Sequence, residues 1–101
     1  MNEDEISSES TVSYSVTKVV SITGVNRETL VQYCESGLLP ISPDRLEDSE
    51  FDDQLVNLIC RVESLRIVHG VNLAGIRMIL TLTEELENLR RELKFRVDAD
   101  Y

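Results

Sequence analysis

The sequence predicts an all-α fold, a winged helix-turn-helix domain with a C-terminal coiled-coil-like helix. Residues 15–37 predict two short helices joined by a turn that contains glycine, which is the helix-turn-helix pattern. Two longer segments further along carry apolar residues at helical spacing. With 101 residues and 42% hydrophobic content, the chain is long enough for one domain with a modest core.

The first segment begins at Ser15, whose side-chain oxygen can cap a helix, and ends at Gly24. Its predicted apolar stripe consists of Val16, Val19, Val20 and Ile22. Asn26 is the predicted cap of the second helix, which ends at Gly37. Pro40 then predicts an extended chain, because proline disfavours a helical residue before it.

Residues 38–51 contain Pro40 and Pro43 and predict a loop or a short hairpin, in the place where a DNA-binding wing would follow a helix-turn-helix. Asp52 is the predicted cap of a long helix that reaches about His69, and Asn72 is the predicted cap of the last helix. We expect Tyr33 and Phe51 to lie in the core or at its edge.

The last helix carries leucines at steps of three and four, with charged residues between them, as in a heptad repeat. We call these residues the leucine seam and predict that they form a dimer contact; they are Ile79, Leu82, Leu86, Leu89 and Leu93. The two helices could run parallel or antiparallel. The alternative is that the helix folds back on its own domain.

Charge argues against a nucleic-acid ligand. The net charge is −9, from 19 acidic and 10 basic residues, whereas phosphate neutralisation needs bases. The excess lies mainly in residues 1–10 and 44–53. The acidic, polar N-terminus is unlike a signal peptide, and no apolar run approaches about 18 residues, so we expect a cytoplasmic protein.

Catalytic and metal-binding residues are not predicted. His69 is the single histidine, and no nucleophile–base group or cofactor motif accompanies it. Cys34 and Cys60 lie far apart without a zinc-binding spacing, and we expect both to be reduced and half-buried. The sequence therefore predicts a protein that is not an enzyme and needs no cofactor.

The chain resembles the MerR superfamily over residues 14–82, through the segments TGVNRETLVQYCESGLL, FDDQLVNLICRVESLR and HGVNLAGIRMIL. In DNA-binding members the second helix reads like TLRYYE, and here its arginine is replaced by Val31. The next two positions, often basic, are Glu35 and Ser36. The wing has Glu47, Asp48 and Ser49 where a Gly-Tyr-Arg is usual. These departures remove basic contacts at the positions where phosphates would bind.

The acidic chain and its LTLTEELENL segment also resemble the chaperone-modulator CbpM family. That resemblance implies binding to the J-domain of a CbpA- or DnaJ-type co-chaperone, and inhibition of that co-chaperone. The expected partner-binding residues are Val31, Gln32, Glu35, Glu47, Asp48, Glu50 and Asp53.

The alternative is a MerR-type transcription regulator whose DNA contacts come from Lys18, Arg27 and Arg45. In either case the expected organisation is an acidic flexible tail over residues 1–13, the MerR-like domain over 14–82 and a dimerisation helix over 83–101.

Overall fold

The computed structural model of the chain describes residues 12–99, so residues 1–11 of the flexible tail expected over 1–13, and the last two residues of the chain, lie outside it. The described residues form helices α1 (Val16–Thr23), α2 (Arg27–Glu35), α3 (Asp53–Ile67) and α4 (Leu73–Ala99). A 3₁₀ helix, Pro43–Asp48, lies between α2 and α3. The predicted all-α fold is confirmed.

The four helix starts are set by local side chains, as the sequence predicts. Each cap accepts a hydrogen bond from the backbone N–H three residues later, which satisfies one of the free donors of the first turn. These caps are Ser15 (3.3 Å), Asn26 (2.8 Å), Asp52 (2.8 Å) and Asn72 (2.8 Å). The predicted stops at Gly24 and Gly37 are also present, each with φ of 76°, a conformation that glycine adopts without strain.

The core lies between α1, α2, α3 and the start of α4. Its largest fully buried side chains include Tyr33, Phe51, Leu30 and Ile59, so the prediction for the two aromatic residues is confirmed. Ile76 is the point at which α4 enters this core. Burial of these side chains is the main favourable term for the fold.

Two apolar side chains, those of Cys60 and Ile22, are more exposed than the sequence predicts. Cys34 is buried, but Cys60 is exposed, so the prediction of a half-buried side chain there is wrong. Cys60 directly follows the buried Ile59, and one residue turns a helix by about 100°, away from the core. Ile22 is similarly exposed at the end of the predicted stripe on α1.

The segment after α2 also differs from the prediction of a loop or hairpin. Pro43 opens the 3₁₀ helix, a position in which its fixed φ and missing N–H are tolerated, and Leu46 anchors that helix in the core. Within residues 12–99 the only β pairing is an isolated antiparallel bridge, in which Tyr14 and Phe51 exchange hydrogen bonds of 2.7 and 2.9 Å. The expected wing is therefore a short helix, not a strand pair.

Tyr33 joins α2 to α3 through its hydroxyl group. The ring is fully buried, while the hydroxyl donates to the Glu63 carboxylate and accepts from Arg66 Nε at 2.8 Å. Arg66 also lies 3.3 Å from Glu63, so the three side chains form one network. Burial and then the bond to Glu63 raise the pKa of Tyr33.

We expect Tyr33→Phe to lower the free energy of unfolding by about 1–3 kcal/mol, because the buried ring stays but a hydrogen bond to a charged group is lost. The variant should also lose part of the alkaline sensitivity of the wild type. An unfolded tyrosine releases its proton near pH 10.0, whereas folded Tyr33 retains it, so wild-type stability falls as the pH rises from there.

Urea unfolding at about pH 8 and about pH 10.5 measures both effects. The account of this network is wrong if wild type and variant lose equal stability between the two pH values.

Candidate functional site

The outward face of α2 is where a helix-turn-helix protein presents its recognition side chains. Gln32 and Glu35 are exposed there, as a partner-binding role requires. Val31 is half-buried and packs against the core, so only part of its side chain is available to a partner. The face therefore offers an acid and an amide in place of bases.

Arg27, the only base in α2, is already engaged within the molecule. Its Nε donates to Glu47 at 2.8 Å, and its terminal nitrogen Nη2 donates to Thr17 Oγ1 at 2.7 Å. This link ties α1, α2 and the 3₁₀ helix together. A phosphate would have to displace a carboxylate to reach Arg27, and a protein partner would meet Glu47 with its charge partly neutralised.

Further acids of the predicted partner surface are also held in place. Glu50 accepts a hydrogen bond from Ser13 Oγ at 3.1 Å, and Asp53 accepts one from the Tyr14 hydroxyl at 2.8 Å. The bond to Asp53 is the main reason why the pKa of Tyr14 is raised. Asp48 is exposed. The carboxylates after the 3₁₀ helix thus have defined positions on the surface.

The charge around the helix-turn-helix is strongly acidic. Residues 12–53 contain eight acids and three bases, and one of the bases, Arg27, is paired with an acid. Lys18 and Arg45 are exposed. Two exposed bases against this acidic excess do not make the basic face that DNA binding needs.

The structure places the leucine seam along the outer part of α4. Four of its members are exposed, with 61% of Leu82 and 65% of Leu93 accessible, and Ile79 is half-buried. Within residues 12–99 the helix does not fold back to cover these side chains, which removes that alternative. The dimer contact stays a prediction.

Sequence reasoning missed the links that hold these acids. Arg27 and Glu47 are 20 residues apart, and Tyr14 and Asp53 are 39 residues apart, so neither pair gives a local spacing signal. Across the described part of the chain, no group of three or more His, Cys, Asp and Glu side chains is arranged to hold a metal ion. None of the described helices combines the length and the apolar character needed to cross a membrane.

Comparisons with known proteins agree on one family. The family model described as "MerR HTH family regulatory protein" matches residues 14–83. The curated proteins named "Chaperone modulatory protein CbpM" from Salmonella paratyphi B and Salmonella newport are each 33% identical over 82 residues, which is 81% of this chain and 81% of theirs. The same figures apply to the protein of that name from Salmonella enteritidis PT4. No solved structure matches the chain significantly.

We expect the Arg27–Glu47 pair to contribute less than about 1 kcal/mol to stability, because both side chains are largely exposed to solvent. A double-mutant cycle with Arg27→Met and Glu47→Gln, followed by urea unfolding, measures this coupling. The coupling should vanish at about 1 M salt, where exposed charges are screened. A coupling above about 2 kcal/mol that survives salt would contradict this view of an exposed link.

Proposed function

We propose that this chain, which belongs to the chaperone modulatory protein CbpM family and carries a MerR-type helix-turn-helix, binds the J-domain of a CbpA- or DnaJ-type co-chaperone and inhibits that co-chaperone. The observation that carries the proposal is the acidic surface built on a DNA-binding scaffold. We further propose that the protein acts by binding alone, without catalysis or a cofactor, in the cytoplasm.

The charge at the helix-turn-helix separates this function from transcriptional regulation. Each base that contacts a phosphate releases counterions and adds affinity, whereas a carboxylate at that place repels the phosphate. On the α2 face, Glu35 is exposed and Arg27 is paired with Glu47. The match to the MerR family model supports a helix-turn-helix scaffold, but the acidic surface of this scaffold gives DNA little to bind.

The same charges suit a J-domain, which presents a basic helix next to its His-Pro-Asp loop. Complementary charge mainly raises the association rate and selects the partner. The candidate surface for this contact consists of the predicted partner residues, in which only the exposed part of Val31 and the remaining charge of Glu47 can contribute. The other members are Gln32, Glu35, Asp48, Glu50 and Asp53.

We also propose that the protein is a homodimer in which the two α4 helices pair through the leucine seam, either parallel or antiparallel. Five apolar side chains in a row, four of them exposed, suit a helix–helix contact better than water. The charged residues beside the seam in this heptad are Glu85, Arg90 and Glu92, and Glu92 is paired with Arg96. The orientation of the pair is left to the cross-linking experiment below.

Charge reversal tests the J-domain contact. We expect a variant with Glu47→Lys, Asp48→Lys and Glu50→Lys to bind the J-domain of a DnaJ-like protein from the same genome at least about tenfold more weakly, because attraction becomes repulsion. Isothermal titration calorimetry at about 50 mM salt measures the dissociation constant. The matched control replaces the same three residues by glutamine and should lose less affinity. Unchanged affinity in the lysine variant would contradict the assigned surface.

Disruption of the seam tests the dimer. We expect Leu86→Glu to halve the mass measured by light scattering, because an unpaired charge at a helix contact is strongly unfavourable. For orientation, Leu93→Cys in a Cys60→Ser background should cross-link to itself in a parallel pair, and should form a mixed disulfide with the Ile79→Cys variant in an antiparallel pair. A monomeric wild type would contradict the dimer.

A further inference from the structure

A groove separate from the outward face of α2 runs along the first turns of α3. We call it the α3 groove; its apolar lining consists of Val12, Pro40, Leu55 and Leu58. Leu55 and Leu58 are half-buried and pack against the core, so they form the floor. Val12 is 43% exposed and stands at the side of the groove. The spacing of three residues between the two leucines suits an apolar stripe of a second helix.

The polar lining of the α3 groove is acidic. Glu50 and Asp52 line it, together with Ser13 and Gln54, and no base is among the described residues that line it. The hydrogen bond from Ser13 holds the Glu50 carboxylate, and Asp52 is held by its capping bond from the Leu55 N–H. Two carboxylates are thus fixed beside an apolar floor.

The position of these acids disfavours an anionic ligand. The start of α3 would attract an anion through the helix dipole, but Asp52 and Asp53 already place carboxylates there. A ligand for the α3 groove must therefore bring positive charge as well as apolar side chains. An amphipathic helix with apolar residues three and four apart, flanked by lysine or arginine, has both.

We propose that the α3 groove, rather than the outward face of α2, holds the basic helix of the J-domain. The inference rests on the proposed function and adds the place of binding. Val31 is the one apolar residue of α2 that is half-buried rather than buried, and Glu47 beside this helix is paired with Arg27. The α3 groove instead combines four apolar side chains, of which Val12 and Pro40 are exposed, with two carboxylates that have no ion pair among residues 12–99.

Two double variants with the same change in net charge separate the two surfaces. The groove pair is Glu50→Lys with Gln54→Lys, and the matched α2 pair is Gln32→Lys with Glu35→Lys; all four side chains are exposed. Titration calorimetry of each full-length variant uses the purified J-domain of a DnaJ-like protein from the same genome, at about 50 mM salt. We expect at least about a tenfold loss of affinity for the groove pair and less than about threefold for the α2 pair.

A second measurement tests the apolar contribution of the groove to J-domain affinity. Val12→Ser removes exposed apolar surface without a change of charge, and we expect it to weaken J-domain binding about threefold. Because no charge changes, this loss should be the same at about 50 and about 300 mM salt. The effect of the groove pair should instead shrink as salt rises. Circular dichroism melting of each variant confirms that the fold is retained.

The other outcomes have distinct meanings. Equal losses in the two pairs, or a larger loss in the α2 pair, overturn the α3 groove but leave the proposed function standing. A wild type that does not bind the J-domain overturns both. If the groove pair lowers the mass of the protein in light scattering and leaves J-domain affinity unchanged, the basic end of α4 from a second copy occupies the groove, and the proposal is overturned.

Discussion

The buried ring of Tyr33 fixes the orientation of α2, and the surface chemistry of the molecule depends on that orientation. Its hydroxyl is satisfied by Glu63 and Arg66 of α3, so the ring is buried without leaving a polar atom unpaired. With Tyr33 directed inward, helical geometry turns Gln32 and Glu35 outward. A rotated α2 would expose a different set of side chains, and would bury a polar group without a partner.

One fold can serve different ligands through the residues on its surface. A helix-turn-helix positions two helices and the following segment, whatever charge they carry. Here Arg27 and Glu47 neutralise each other across that unit, and the remaining surface is acidic. The same rigid arrangement that would align bases along a phosphate backbone instead fixes carboxylates, which is the requirement for recognition of a basic protein surface.

Local signals explain how much of the fold the sequence predicts. The four helix caps and the glycine stops act within three residues of their own position, so their meaning does not depend on the rest of the fold. The 3₁₀ helix was not predicted, because Pro43 suits a turn as well as a helix start until the burial of Leu46 decides between them.

The candidate site was harder to predict, since it depends on tertiary contacts. The acids could be named from the charge pattern, but their ties to Arg27, Ser13 and Tyr14 and the groove beside α3 arise only when distant segments meet. One measurement tests the central claim most directly: titration of the same wild-type sample against the J-domain and against a mixed DNA duplex at about 50 mM salt. The account predicts micromolar or tighter binding to the J-domain and none to DNA. Binding to DNA alone would contradict it, because the few bases near the helix-turn-helix would then outweigh its acids.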